Sequence, residues 1–391
     1  MQEFDFDRII DRRGTFSYKH DGLKKVFGRE DVLPMWVADM DFAVPPAVQE
    51  AIRRRAAHPI YGYTFRPEEY YDSFISWLRE RHGWQVEREW IVYTPGIVPA
   101  LNMAIQAFTA PGDGVILQSP VYHPFFHAIE LNGRRLLNNP LRREGDRYTF
   151  DLEGLERVAR EARLLLLSSP HNPVGRSWDE EELRRLGEIC LRHGVVIVSD
   201  EIHADLTLPG HRHVPLATLS GELAACTLTC MAPSKTFNLA GLSTSSVIIS
   251  DAGLRERFRS VIERLHLAGG NLFGIVASIA AYREGAPWLD ALLRYIAGNI
   301  ALAAERVGEM EGVRMTPVEA TYLVWLDFSG TGMDAERLKK FLVEEARVGG
   351  NDGTMYGPGG EGFVRLNLAT PRSVVAEAFD RIARALKKTR G

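Results

Sequence analysis

The chain has 391 residues, a formal net charge of −4, 45% apolar residues and 25% charged residues. This composition is ordinary for a globular enzyme, and the dispersed basic residues argue against a nucleic-acid-binding protein, which needs a clustered positive face. The most apolar stretch, 272–282, is too short to span a bilayer, and the acidic start does not resemble a signal peptide. We therefore expect a cytoplasmic protein that contacts neither nucleic acid nor membrane.

The cysteines and histidines predict no metal site. The three cysteines are Cys190, Cys226 and Cys230, an odd and sparse set that fits a reducing compartment. Neither Cys226/Cys230 nor His211/His213 is joined by a second pair at zinc spacing. We interpret the cysteines as core residues and the two histidines as part of a polar loop.

Strand and helix patterns alternate along the middle of the chain. Residues 94–108 predict a helix with Pro99 at its first position, and residues 179–194 predict a helix that begins with acidic residues and stops at Gly194. Short apolar runs bounded by turn residues predict buried strands at 115–120, 164–170, 195–201, 227–232 and 246–250. This alternation predicts an α/β fold with a mostly parallel sheet covered on both faces.

The last third of the chain has a different organisation. It predicts a long helix (287–310), a strand (321–328), a helix (334–348), a Gly-rich loop (349–362), a strand (363–369) and a final helix. We therefore predict a large domain of residues 46–286 and a smaller α/β domain of residues 1–45 and 287–391.

Polar side chains follow the predicted strands. In open α/β sheets, ligands bind beyond the carboxyl ends of the strands. The residues that these ends present are Tyr122, His123, Asn172, Asp200, His203 and Lys235. They bring an amine, a carboxylate, an amide and aromatic rings to one edge of the sheet.

One cofactor needs this combination. Pyridoxal 5′-phosphate binds a lysine amine covalently, its ring nitrogen needs a carboxylate partner, and its phosphate favours a helix N-terminus. The glycine turn and helix of residues 94–108 would supply that N-terminus. Singly, Asp200 could be a helix cap, Asn172 a turn residue and Tyr122 a core residue. Their coincidence at ordered strand ends favours a functional site.

Whole motifs also resemble a known family. These are PMWVADMDF (34–42), YGYT (61–64), SPVYHPF (119–125), SPHNPVGR (169–176), VSDEIHADL (198–206), APSKTFNLAGLS (232–243) and EGFVRLNLATP (361–371). Across nearly the whole chain, the sequence resembles fold-type-I pyridoxal-phosphate enzymes of the class I/II aminotransferase superfamily, and within them the MalY/PatB-type cystathionine β-lyases, or C–S lyases. The resemblance implies a seven-stranded, mostly parallel sheet and a homodimer with shared active sites.

The resemblance also implies roles for single residues. Lys235 would hold the cofactor covalently and then act as general base, and Arg365 would bind the substrate carboxylate. We expect the rest of the substrate to lie against loops near Trp36, Asp39 and the Gly-rich segment 349–362. Tyr63 would reach the phosphate in the neighbouring subunit, and Tyr122, His123 and Tyr63 are candidate general acids. The remaining cofactor contacts would be Asp200 at the ring nitrogen, Asn172 at the phenolic oxygen, Tyr122 on the ring face, His203 beside it, and Gly96, Ile97, Val98 and Ser234 at the phosphate.

Two positions depart from the superfamily pattern. Ser243 stands eight residues after Lys235, where an arginine is usual, and Ala232 stands three before it, where serine or glycine is usual. The phosphate contacts should therefore differ from those of a standard aminotransferase.

Three functions fit these residues. The first is β-elimination from L-cystathionine or a related S-substituted cysteine, which gives a thiol, pyruvate and ammonia. The second is a class I/II aminotransferase reaction, which begins in the same way. The third is a regulatory protein that keeps the fold without turnover, against which the intact Lys235, Asp200, Asn172 and Arg365 argue.

Overall fold

The computed structural model describes residues 4–390, so residues 1–3 and 391 of the predicted small domain lie outside it. The strands are β1 Leu33–Pro34, β2 Ile91–Thr94, β3 Gly114–Leu117, β4 Arg135–Asn138, β5 Arg142–Glu144, β6 Arg147–Thr149, β7 Ala162–Ser168, β8 Val196–Asp200, β9 Thr227–Met231, β10 Ser245–Ile248, β11 Arg314–Met315, β12 Leu323–Asp327, β13 Val348–Gly349, β14 Asn351–Asp352 and β15 Phe363–Asn367.

The helices alternate with these strands. They are α1 Tyr18–Asp21, α2 Leu23–Phe27, α3 Pro46–Ala56, α4 Glu68–His82, α5 Ile97–Phe108, α6 Pro124–Leu131, α7 Leu152–Ala159, α8 Glu180–His193, α9 Gly221–Cys226, α10 Pro233–Thr236, α11 Ala252–Arg264, α12 Leu272–Glu284, α13 Ala286–Gly308, α14 Ala335–Lys340 with a π-helical continuation Phe341–Ala346, and α15 Arg372–Arg390. Within the described residues, no helix is long and apolar enough to cross a membrane.

The large sheet has seven strands in residues 4–390, in the order β2-β10-β9-β8-β7-β3-β4. The β3–β4, β3–β7, β7–β8 and β8–β9 pairs are parallel, and β10 is antiparallel to both its neighbours. The predicted mostly parallel, seven-stranded sheet is therefore confirmed. Its parallel part brings the carboxyl ends of β3, β7, β8 and β9 to one edge.

The apolar runs form strands because both faces of the sheet are covered. On β7, Leu164 and Leu166 pack with helices α5 and α11, while Leu165 and Leu167 pack with α7 and α8 on the opposite face. All four leucines are fully buried, and burying one leucine side chain contributes roughly 1.5–3 kcal/mol. This explains why the strand is a continuous apolar run without alternation.

A second, antiparallel sheet has the order β11-β12-β15-β14. Near the start of the chain, β1 pairs in parallel with β13, so that Leu33 lies opposite Val348. This pairing supports the grouping of residues 1–45 with the last third of the chain. The predicted domain limits at residues 45/46 and 286/287 stay a prediction.

Two predicted elements differ in detail. Helix α5 begins at Ile97, so Pro99 is its third residue rather than its first, a position where proline is tolerated because the first-turn N–H groups have no partner within the helix. The helix predicted at 334–348 ends at Ala346, since Arg347 adopts a left-handed conformation and Val348 starts β13. Part of the predicted loop 349–362 forms β14 and a 3₁₀ turn, Gly353–Tyr356.

Candidate active site

The strand ends meet around one cavity of about 480 Å³. It lies at the carboxyl edge of the large sheet, where the loops after β3, β7, β8 and β9 converge. The predicted site residues that line it are Trp36, Gly96, Ile97, Val98, Tyr122, His123, Asn172, Asp200, His203, Ser234, Lys235 and Arg365. The structure thus gathers in one place side chains that lie more than 300 residues apart in sequence.

Lys235 projects into the cavity from a short turn. Strand β9 ends at Met231 and is followed at once by α10, in which Pro233 occupies the first position and Lys235 the third. The Lys235 amine donates a hydrogen bond of 2.6 Å to the backbone oxygen of Ala38. Burial, together with the positive charge of Arg365, lowers the pKa of Lys235 to about 8. A large share of the amine is therefore neutral and nucleophilic near pH 8.

Asp200 ends β8 as a buried carboxylate without a cation in contact. Its side chain accepts a hydrogen bond from the Ile202 N–H at 3.2 Å, and among the described residues the charge of Lys235 acts on it without a hydrogen bond. Burial raises the pKa of Asp200 to about 7, although the backbone hydrogen bond and the charge of Lys235 oppose this. A cation placed beside Asp200 would favour its charged form, and the protonated ring nitrogen of a bound cofactor would be such a cation.

The two cavity histidines are neutral near pH 7. Burial and the charges of Lys235 and Arg365 lower the pKa of His203 to about 3, and burial with the charge of Arg365 lowers that of His123 to about 4. Burial raises the pKa of Tyr122, which therefore stays protonated. Of these groups, Tyr122 is the better proton donor at neutral pH, because a neutral imidazole is a weak acid.

Arg365 lines the cavity and is fixed by three hydrogen bonds. Its guanidinium donates to the backbone oxygen of Trp36 at 2.7 Å, to Asn351 Oδ1 at 2.8 Å and to Asn172 Oδ1 at 3.1 Å. The side chain is 4% exposed, and its Nε–H has no hydrogen-bond partner among the described residues. A buried guanidinium with an unused donor is suited to binding a carboxylate.

The other end of the cavity is suited to an anion. The N-terminus of α5 faces it, with Gly96 as the cap residue and Ile97 and Val98 in the first turn. Ser234, Ser243, Thr244 and Ser245 also line the cavity. Free N–H groups and the helix dipole attract a phosphate. Because position 243 carries a serine, hydroxyl groups stand here in place of a guanidinium.

Two predicted residues lie outside the cavity lining. Asp39 binds Arg12 through two hydrogen bonds of 2.9 and 2.6 Å, so its carboxylate is already paired within the chain. Tyr63 is fully exposed to solvent. A direct contact of Asp39 with substrate, and of Tyr63 with a neighbouring subunit's phosphate, stay predictions.

Sequence reasoning missed other residues of the site. Tyr18 and Met355 line the cavity, and Tyr18 packs against Trp36 with ring centroids 4.8 Å apart. Asn351 both lines the cavity and orients Arg365. Asn351 lies in the Gly-rich segment 349–362, whose composition was a signal of function. Nothing in the sequence around Tyr18 marks it.

These groups fit pyridoxal 5′-phosphate. A lysine amine with a lowered pKa, a buried carboxylate that lacks a cation, and a helix N-terminus occupy one cavity, and each matches a different part of the cofactor. Within residues 4–390, no group of three or more side chains is arranged to hold a metal ion. The fold and the site together define a pyridoxal-phosphate-dependent enzyme of fold type I.

Comparison with known proteins identifies the family. The model of the family "Aminotransferase class I and II" matches residues 30–382, so the chain belongs to that family. The chain is 47% identical to cystathionine β-lyase PatB of Bacillus subtilis over 384 residues, which cover 97% of this chain and 99% of the relative. The expected resemblance to PatB-type enzymes is therefore confirmed.

Two solved structures are similar over almost their full length. Cystalysin from Treponema denticola, which contains pyridoxal 5′-phosphate, has a TM-score of 0.95 and 36% identity, covering 99% of this chain and 100% of that one. A pyridoxal-phosphate-bound C–S lyase from Staphylococcus hominis has a TM-score of 0.91 and 33% identity, covering 98% of each chain. These similarities confirm the predicted fold class.

Proposed function

We propose that this chain is a pyridoxal-phosphate-dependent C–S lyase that acts on L-cystathionine or a related S-substituted cysteine and releases a thiol, pyruvate and ammonia. The observation that carries this proposal is the 47% identity to a cystathionine β-lyase over nearly the whole length, and it is supported by the twelve predicted site residues that line one cavity. The relatives bear out the expected class of reaction and the expected cofactor.

The proposed chemistry divides between cofactor and protein. Bound pyridoxal phosphate supplies an electron sink for the pair left on the substrate Cα after deprotonation. Lys235 removes that proton, since its amine is partly neutral near pH 8. Asp200 would stabilise a positive charge at the ring nitrogen. Tyr122, whose hydroxyl keeps its proton because burial raises its pKa, is the proposed proton donor to the leaving sulfur.

Substrate orientation is the proposed task of Arg365. Its guanidinium is fixed by Asn351, Asn172 and a backbone oxygen, so binding a carboxylate costs little conformational entropy. Binding of the substrate carboxylate by Arg365 fixes the orientation of the substrate Cα–H and Cβ–S bonds. That alignment decides whether a leaving group at Cβ can depart.

Product analysis separates the lyase from its closest alternative. Purified protein is incubated with L-cystathionine, and pyruvate, free thiol and pyridoxamine phosphate are quantified. The proposal predicts pyruvate and thiol without accumulation of pyridoxamine phosphate. Pyridoxamine phosphate formed from an amino acid, with no pyruvate, would instead identify an aminotransferase. If neither pyruvate nor pyridoxamine phosphate forms, and the absorbance band of bound cofactor is absent, the result would favour a protein that has kept the fold without turnover.

We also infer a homodimer with shared sites. The segment 60–65 carries Ile60, Tyr61, Tyr63 and Phe65, which are 66%, 58%, 113% and 78% exposed. Four apolar or aromatic side chains so close together on a surface are typical of an interaction site. A second copy of the chain would cover them and would bring Tyr63 to the phosphate end of the neighbouring cavity.

A cytoplasmic location is the remaining part of the proposal. Its support is the state of the cysteines: Cys190 and Cys230 are buried, and all three cysteines are free. Free buried thiols fit a reducing compartment. A role in sulfur amino-acid metabolism follows from the proposed substrates.

A further inference from the structure

The motif DEIHADL contains an acid that the proposed chemistry does not use. Asp205 lies five residues after Asp200, is 6% exposed, and sits in the 3₁₀ turn Ala204–Leu206. Three side chains donate to its carboxylate: Trp77 Nε1 at 3.0 Å, His82 Nε2 at 2.8 Å and Thr236 Oγ1 at 2.8 Å. Burying a charged carboxylate is costly because it loses its hydration. The three side-chain donors offset this cost for Asp205.

One of these partners is the neighbour of the cofactor lysine. Thr236 follows Lys235 directly, closes the four-residue turn α10, and is fully buried. Trp77 and His82 belong to α4, a 15-residue helix. Asp205 therefore connects the turn of Lys235 to helix α4. It accepts a hydrogen bond from the Thr236 hydroxyl of the turn and others from Trp77 and His82 of the helix.

Asn238, three residues after Lys235, gives the turn a second set of hydrogen bonds. Asn238 donates to the backbone oxygens of Met40 and Phe42 at 3.0 and 3.1 Å, and accepts from the Met40 N–H at 3.0 Å. The Lys235 amine itself reaches Ala38, two residues before Met40. The turn of Lys235 is thus held by two separate sets of hydrogen bonds, one to Asp205 and one to residues 38–42, which include Ala38, the hydrogen-bond acceptor of Lys235.

We propose that Asp205 and Thr236 are positioning residues that fix the turn of Lys235 and so set where its amine stands in the cavity. This inference rests on the proposed role of Lys235. Neither residue lines the cavity, so their effect passes through the lysine. A displacement of about 1 Å at a catalytic group can lower a rate by up to about a hundredfold, which makes such an anchor functionally important.

The test compares Thr236→Val, which removes the hydroxyl and keeps the branched shape, with Thr236→Ser, which keeps the hydroxyl. Both are prepared as holoenzymes alongside Ser278→Ala, a control that removes a buried hydroxyl bonded to Gly274 in α12. The first measurement is circular dichroism of the bound-cofactor absorbance band without substrate. The second is kcat and KM for L-cystathionine or S-methyl-L-cysteine.

Thr236→Val should weaken the dichroic band and lower kcat roughly tenfold, because the Lys235 amine is displaced. KM should change less than about twofold, because Arg365 still binds the substrate carboxylate. Thr236→Ser and Ser278→Ala should resemble the wild type. A folded Thr236→Val with an unchanged band and kcat within about twofold of wild type would overturn the proposal.

If Thr236→Val does not fold, Thr236→Ala replaces it as the variant without a hydroxyl. Equal losses of kcat in Thr236→Ala and in Thr236→Ser, which keeps the hydroxyl, would overturn the proposal. Asp205→Asn should lower kcat as well, and its effect should be smaller in a Thr236→Val background than in the wild type, because the Thr236–Asp205 hydrogen bond is already absent there. Full additivity would contradict the assignment. Because the dichroic band is recorded without substrate, it tests the anchor even if cystathionine is not cleaved.

Discussion

Lys235 and Tyr322 donate hydrogen bonds to the same backbone oxygen, that of Ala38, at 2.6 and 3.0 Å. Tyr322 precedes β12 of the smaller sheet, while Lys235 follows β9 of the large one. The Ala38 carbonyl therefore joins the two sheets directly at the reactive amine.

Lys235→Ala should abolish both the covalent attachment of the cofactor and the catalysis. The variant would lack the amine that we propose both to bind the cofactor and to remove the substrate proton. We expect the absorbance band of the bound cofactor near the visible edge to disappear and product formation to fall to background. A variant that keeps the wild-type band would show that another amine holds the cofactor.

Arg365→Lys should weaken substrate use while the cofactor stays bound. Lysine keeps the charge but cannot make the forked hydrogen bonds of a buried guanidinium, so we expect kcat/KM to fall roughly a hundredfold, mostly through KM. Steady-state kinetics measure this effect. Arg192→Lys, a change at an exposed arginine paired with Glu156, serves as the control and should have no effect. Equal kinetics of both variants would rule out Arg365 as the carboxylate site.

Asp200→Asn should stabilise the cofactor-free protein and weaken cofactor binding. The pKa of Asp200 is raised to about 7 by burial, so its charged form destabilises the fold. That cost grows as pH rises from the ordinary pKa of the carboxyl toward 7 and is complete above 7. One pKa unit corresponds to about 1.4 kcal/mol, so the gain is a few kcal/mol at most.

Thermal unfolding of the apoprotein tests this sign. The melting temperature of Asp200→Asn should exceed that of wild type by more at pH 8 than at pH 5. A spectral titration should at the same time show weaker binding of pyridoxal phosphate, because the ring nitrogen loses its carboxylate partner. A variant less stable than wild type at pH 8 would argue that Asp200 is already paired.

If sites are shared between subunits, mixing Tyr63→Ala, which should lose activity with its phosphate contact, and Lys235→Ala should raise the activity above that of either variant. In a heterodimer of Tyr63→Ala and Lys235→Ala, one of the two sites contains both an intact lysine and the partner's tyrosine. Random exchange of subunits would restore about a quarter of all sites. A mixture of Lys235→Ala with Asp200→Asn should restore none, since those two residues belong to the same chain's site. Activity no higher than the sum of the single variants would contradict the shared site.

Much of the large sheet could be predicted because its signals are local. The run at 164–170 forms β7 at Ala162–Ser168, since four consecutive leucines have no polar face to expose. Helix α8 follows the predicted 179–194 closely, because Asp179 makes a capping box with Glu182 and Gly194 closes the last turn in a left-handed conformation.

The remaining features depend on contacts between distant segments. The helix predicted to reach 348 stops at Ala346 because Val348 pairs with Leu33, more than 300 residues away. Asp39 forms an ion pair with Arg12, 27 residues earlier, and no local sequence pattern predicts that pair. The sequence could place the charged residues of the site at strand ends, but the groups that orient them, such as Asn351 on Arg365, became visible only in three dimensions.

The central claim is cleavage of a carbon–sulfur bond, and simultaneous measurement of thiol and pyruvate released from L-cystathionine tests it most directly. The wild-type holoenzyme should release the two products in equal amounts over time, and Lys235→Ala should release neither. Thiol and pyruvate that do not appear together, or a wild-type protein that transfers the amino group to a 2-oxo acid while the sulfur bond stays intact, would contradict the claim.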